Sequence, residues 1–121
     1  RPRSSMAPTI VFDSHGEPIL VTGSPGGSRI ICYVVQSLVG VLDWNMSPQQ
    51  AVSMPHFCNR NGTTDLESAE STAQLKATLQ GLGHKVRIRD LNSGLHLIKI
   101  LPDGQLLSGV DPRREGLAAG D

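Results

Sequence analysis

The sequence predicts an α+β fold, with helices layered on a mostly antiparallel sheet. Three observations carry this. Strand-like apolar runs come in pairs joined by turn clusters near both ends of the chain. Three helical patterns occupy the middle. The coarse order β-β-α-α-(β)-α-β-β-β keeps helices and strands apart, so hairpins outnumber possible parallel crossovers.

The elements follow in order. Thr9-Ile10-Val11-Phe12 has strand propensity, Asp13 to Pro18 is a turn cluster, and Ile19 to Thr22 is a second strand, together a hairpin. Thr22-Gly23-Ser24-Pro25-Gly26-Gly27-Ser28-Arg29 then reads as a tight glycine turn between strand and helix. The helix, from Ser28 to about Asp43, carries Ile30, Ile31, Val34, Val35, Leu38, Val41 and Leu42 at helical spacing, which predicts a wide buried face. Ser47-Pro48-Gln49-Gln50 reads as N-cap, first-turn proline and capping-box glutamine of a short helix that Pro55 stops. Phe57 to Leu66 reads as loop, with at most a brief strand before Glu67.

Ser71-x-x-Gln74 offers a second capping box, followed by a stripe of Leu75, Leu79 and Leu82 and a Gly83 C-cap. Lys85 to Arg89 alternates polar and apolar, as a half-buried strand does. His96 to Leu101 and Gln105 to Val110 flank Pro102-Asp103-Gly104, a second hairpin. Residues 1–121 are expected to form a single domain.

Composition narrows the function classes. Eleven basic residues balance eleven acidic ones, so no charge argument points to nucleic acid or an anionic membrane. Four aromatic residues are a poor supply for stacking on bases. The longest apolar run is interrupted by Gln36, Ser37 and Gly40, and predicts no transmembrane helix. His15, His56, His84 and His96 have no ligand spacing, and Cys32 and Cys58 form no CxxC, so no metal or other cofactor is expected. Cys32 reads as a small apolar residue within the helix. The start at Arg1-Pro2-Arg3 is neither an initiator nor a signal peptide, and the chain is expected to be a piece of a longer polypeptide.

The glycine turn is the candidate site. The first N–H groups of a helix lack intrahelical partners and carry the positive end of its dipole. Gly26 and Gly27 leave theirs uncovered by any Cβ. Such a turn can hold a phosphate, a carboxylate or a developing oxyanion; it can also be a turn that needs glycine for its geometry alone. The hairpin predicts that Ser4-Ser5 lies at the same end of the sheet, bringing hydroxyls beside backbone donors. Asp111-Pro112-Arg113-Arg114 reads either as a charged, proline-stiffened turn or as arginines that pair with carboxylates across an interface.

Assembled, these motifs resemble the gamma-glutamyltransferase family. The resemblance is carried by Arg1-Pro2-x-Ser4-Ser5-Met6-x-Pro8-Thr9-Ile10 and Val21 to Ile31. It continues through Ala51-Val52, Pro55, Gly83 to Val86, Pro102 to Gly104 and Asp111 to Arg114. The loop Phe57 to Gly62 and Ser93-Gly94-Leu95-His96 look most like bacterial members.

The resemblance implies an N-terminal nucleophile hydrolase with an αββα sandwich, cut by its own chemistry into a large and a small subunit. It implies acyl transfer and hydrolysis of glutathione and other γ-glutamyl compounds through a threonine acyl-enzyme, resolved by water, an amino acid or a peptide. Ser4 and Ser5 match the family's serines that bind the α-carboxylate. Gly26 and Gly27 match its oxyanion-hole glycines.

The family's nucleophile lies upstream of the serine pair and is absent here, as is its usual Gln-Trp segment in the middle loop. Arg1 cannot supply a threonine α-amine, and Asp121 stands where the family has an aromatic terminus. The chain is therefore expected to be the C-terminal portion of a small subunit. Its expected partners are the rest of that subunit and the large subunit, and it is expected to be inactive alone and periplasmic or secreted in the whole protein. The alternative is a catalytically inactive binding or structural module.

Overall fold

A computed structural model describes residues 3–120. The readings of Arg1 as the N-terminus and of Asp121 in place of an aromatic residue lie outside the described residues. The elements are β1 (Thr9–Phe12), β2 (Pro18–Gly23), a 3-10 turn (Gly27–Arg29), α1 (Ile30–Leu42), α2 (Pro48–Ser53), β3 (Phe57–Asn59), β4 (Thr64–Glu67), α3 (Thr72–Gly81), β5 (Val86–Arg89), β6 (His96–Ile100) and β7 (Leu106–Val110). They fall into two compact units, one of residues 1–54 with 92–121, the other of residues 55–91.

The first unit holds a four-stranded antiparallel sheet in the order β1-β2-β6-β7. Thr9 faces Thr22, Gly23 faces His96 and His96 faces Val110, so these residues share one end of the sheet. The turns Asp13–Glu17 and Pro102–Gly104 lie at the other. One face of the sheet carries Leu20, Thr22 and Leu97, all buried. α1 contacts β2, and α2 contacts β6 and β7. The opposite face carries Ile10, Val21 and Ile98 in one row, all exposed, with exposed Leu106 beside them.

α1 buries Ile30, Tyr33, Val34, Ser37, Gly40 and Val41. The wide buried face expected of it is only half realised, because Ile31, Val35 and Leu42 are exposed. Tyr33, Ser37 and Gly40 take positions that a hydropathy pattern passes over. Ser37 satisfies its hydroxyl on the Val34 carbonyl at 2.9 Å, and Gly40 lets α2 approach so closely that a Cβ there would lie 3.3 Å from that of Ala51. α2 begins as expected: the Ser47 hydroxyl accepts from the Gln50 N–H, and the Gln50 side chain accepts from the Ser47 N–H, at 3.2 and 2.9 Å.

The second unit is a three-stranded sheet in the order β3-β4-β5, with β4 and β5 parallel and α3 between them in the chain. The three-residue β3 forms where loop was expected. The Ser71 capping box does not form, since Ser71 is already helical and makes no side-chain cap. Thr72 anchors that helix start instead, donating its hydroxyl to the Glu67 carbonyl at 2.7 Å. The leucine stripe of α3 is largely exposed at Leu75 and Leu82. Cys32 and Cys58 are both disulfide-bonded, which corrects the reading of Cys32 as simple apolar packing.

Candidate active site

The site grows from the end of β2. The strand delivers Gly23, and the chain turns through Ser24 to Gly27 before winding into the 3-10 turn and α1. Gly26 sits at φ +144° and Gly27 at φ +61°, conformations that L side chains rarely adopt. The glycines differ in their surroundings. A Cβ on Gly26 would lie 2.7 Å from Cε2 of buried Tyr33, whereas one on Gly27 would meet nothing within 4 Å. Gly26 is thus fixed by both backbone and packing, while Gly27 faces open space.

The turn meets the serine pair directly. The Ser5 N–H and the Ser5 hydroxyl both donate to the Gly27 carbonyl, each at 3.1 Å. Ser4 is exposed beside them. Arg29 N–H donates to the Gly26 carbonyl at 3.2 Å. Among the described residues, neither the Gly26 nor the Gly27 N–H has a hydrogen-bond partner in the chain. Ser5 is thus joined to Gly27, with Ser4 next to it in the chain and the Gly26 and Gly27 N–H groups left for something else. The arrangement suits an anionic group on the donors and a second polar group within reach of the serines.

Sequence reasoning missed what stands behind the turn. Ser24 Oγ donates to the Pro25 carbonyl at 2.7 Å and accepts from the Gly94 N–H at 3.2 Å. A Cβ on Gly94 would lie 2.8 Å from both Pro25 Cγ and Arg114 Cδ, so only glycine allows this contact. Arg114 Nε donates to the Ser93 carbonyl at 3.0 Å. Ser93, fully buried, donates its hydroxyl to Asp111 Oδ2. The Leu95 N–H reaches the same oxygen at 2.9 Å, and Asp111 Oδ1 accepts from the Arg113 N–H and guanidinium, each at 3.0 Å.

Burial alone would raise the Asp111 pKa. The hydrogen bonds from Ser93, Leu95 and Arg113 together outweigh that and hold it below the ordinary value of 3.8. The Arg113 guanidinium also donates to the Val52 and Met54 carbonyls at 3.0 and 2.8 Å, satisfying the end of α2. The first of the two readings of Asp111 to Arg114 therefore describes Asp111 and Arg113 within this chain: a charged turn, closed by an internal ion pair. No local pattern marks Ser93 or Ser24 for these roles, because their partners lie 18 and 70 residues away.

An open cleft of about 370 Å³ runs beside the turn, lined by Gly23, Ser24, Pro25, Gly94, His96 and Ile98 among others. It does not include Ser4, Ser5, Gly26 or Gly27. His15, His84 and His96 are exposed and His56 is buried. Among the described residues no group of three His, Cys, Asp or Glu side chains could hold a metal ion.

Known proteins share both this sequence and this fold. The model of the family described as gamma-glutamyltranspeptidase matches residues 1–121. The glutathione hydrolase proenzyme of Escherichia coli is 40% identical over 123 residues, covering 99% of this chain and 21% of the relative. That of Bacillus subtilis is 32% identical, with the same shares of 99% and 21%. The chain thus spans about a fifth of the curated relatives' length. Among solved structures, Helicobacter pylori gamma-glutamyltranspeptidase superposes with a TM-score of 0.86 at 36% identity, covering 94% of this chain and 63% of that one. The transpeptidase CapD of Bacillus anthracis gives 0.79 at 26%, covering 98% and 72%. The observed α+β architecture is accordingly that of an N-terminal nucleophile hydrolase of this kind. A match that runs through every residue, in a fold that closes the serine pair onto the glycine turn, establishes that the chain belongs to the gamma-glutamyltranspeptidase family.

Proposed function

We propose that this chain supplies the carboxylate-binding and oxyanion-stabilising part of a γ-glutamyl acyl-transfer site, whose threonine nucleophile lies outside it. The observation that carries the reading is the pair of bonds from Ser5 to the Gly27 carbonyl, beside two N–H groups without partners among the described residues. The Ser4 hydroxyl, together with the Ser5 hydroxyl once it turns from the Gly27 carbonyl to the ligand, holds the α-carboxylate of the glutamyl group. The threonine attacks the γ-amide carbonyl of glutathione or a related compound. The resulting oxyanion accepts from the Gly26 and Gly27 N–H groups, and collapse expels the amine and leaves an ester on the threonine. Water gives hydrolysis; an amino acid or peptide amine gives transfer. Each oxyanion donor contributes roughly 3–4 kcal/mol to the transition state.

Two further features support partners within one precursor. The relatives are named proenzymes, and the row Ile10, Val21 and Ile98 exposes apolar surface on a sheet face that needs cover. The partners of this chain are then the rest of the small subunit and the large subunit of the same precursor. The disulfide-bonded state of Cys32 and Cys58 suits an oxidising compartment, which supports a periplasmic or secreted location.

The test is release of the anilide from a γ-glutamyl anilide. The complete protein is expected to turn it over, Gly27→Val in the complete protein to abolish turnover, and the 121-residue chain by itself to show none. Turnover by the isolated chain would overturn the external nucleophile. Full activity of Gly27→Val would overturn the assignment of the turn.

A further inference from the structure

We infer that Ser24 is a positioning residue that aims the Gly26 N–H at the reacting carbonyl. This rests on the function proposed above and adds a residue to it.

A peptide group is planar and its C=O and N–H point in opposite directions, so a bond that fixes the carbonyl also fixes the N–H. The Pro25, Gly26 and Gly27 carbonyls are all held, and the first two share their peptides with the candidate donors, the Gly26 and Gly27 N–H groups. The Gly26–Gly27 peptide is held where the Gly26 carbonyl accepts from the Arg29 N–H. The Gly27–Ser28 peptide is held where the Gly27 carbonyl accepts twice from Ser5. Among the described residues, the Pro25–Gly26 peptide, which carries the Gly26 N–H, is hydrogen-bonded by one group: the Ser24 hydroxyl, 2.7 Å from the Pro25 carbonyl.

Ser24 is itself oriented. Its oxygen accepts from the Gly94 N–H at 3.2 Å, which leaves its proton to point at Pro25. Gly94 has no room to drift, wedged between Pro25 and Arg114. Its neighbours Ser93 and Leu95 are tied to buried Asp111. The second hairpin thus reaches the glycine turn through one hydroxyl. At φ +144°, Gly26 lies outside the wells that ordinary residues occupy. Packing against Tyr33 restricts Gly26, but without Ser24 no hydrogen bond among the described residues sets the tilt of the Pro25–Gly26 peptide, and the donor can leave its line.

A donor misplaced in this way acts on the transition state and not on substrate binding, so the signature is in kcat. In the complete protein, Ser24→Ala is expected to lower kcat for a γ-glutamyl anilide by about tenfold and to change KM less than twofold. Ser24→Thr keeps the hydroxyl and is expected to recover kcat to within about threefold of the parent. Should Ser24→Ala not accumulate in folded form, Ser24→Cys, with a weak donor of similar size, carries the same comparison.

A kcat within twofold of the parent in the variant lacking the hydroxyl, or a loss that falls equally on KM, overturns the inference. So does a threonine variant no better than alanine. Gly27→Val separates the two levels. If it is inactive while Ser24→Ala is unimpaired, only the role of Ser24 fails; if it is fully active, the reading of the turn fails with it.

Discussion

The two ends of the four-stranded sheet are built on different principles. At one end, both hairpin turns close on themselves. Asp13 Oδ1 accepts from the N–H groups of His15 and Glu17 at 2.8 and 3.0 Å, and Asp103 Oδ1 accepts from Gln105 at 3.0 Å. Gly16 and Gly104 supply the positive φ that each turn needs. At the other end, the glycine turn adds to its two local bonds, Ser24 to Pro25 and Arg29 to Gly26, others that come from far along the chain: Ser5 to Gly27 and Gly94 to Ser24, with Arg114 and Asp111 behind them. A turn that closes locally forms wherever its sequence occurs. A turn shaped by remote partners exists only in the folded protein, and can therefore hold N–H groups without giving them a partner.

The contrast can be broken most severely at Asp111. Asp111→Ala removes the acceptor that the Ser93 hydroxyl, the Leu95 N–H and the Arg113 guanidinium share. It is expected to destabilise the complete protein by about 3–5 kcal/mol, read by chemical denaturation. A loss below about 1 kcal/mol would show that the remote network is dispensable. The same carboxylate sets a pH dependence. Its folded pKa lies below the ordinary 3.8, so its contribution is complete above about pH 4 and disappears as the pH falls through the folded value. Asp111→Asn should remove that part of the acid limb.

The two glycines give the next effect. Gly26→Ala drives a methyl into the Tyr33 ring at an unfavourable φ and should cost about 3 kcal/mol; Gly27→Ala meets only open space and should cost about 1 kcal/mol. Equal losses by thermal melting would contradict the difference in their surroundings. The smallest effect belongs to the self-closed end. Asp13→Ala removes two exposed bonds, for about 0.5–1 kcal/mol, and should leave γ-glutamyl turnover within about twofold of the parent. A loss of activity there would erase the distinction between the ends.

The same distinction explains what could be read from the sequence. The β1–β2 and β6–β7 hairpins and the Ser47 capping box rest on chemistry contained within a few residues. The serine pair and the glycines could be brought together because a hairpin fixes which ends meet. The structure departs from expectation where distant packing decides. Ile31, Val35 and Leu42 obey helical spacing yet are exposed. Ser71 has a capping-box pattern, but Thr72 already ties the helix start to Glu67. β3 is a three-residue segment that owes its strand to pairing with β4. Ser24 and Ser93 look like ordinary loop serines, and only tertiary contact gives them their partners.

Gln49 has a consequence for how the sheet can grow. Its carboxamide accepts from the Val110 N–H and donates to the Val110 carbonyl, at 3.1 and 3.0 Å, as the backbone of a neighbouring strand would. A side chain from α2 thus acts as a single-residue stand-in for a fifth strand on the outer side of β7. Any polypeptide laid along that side must stop short of Val110. The side of β1 carries no such stopper among the described residues. Recruitment of further strands is thereby given a direction, towards the side next to the serine pair and away from α2.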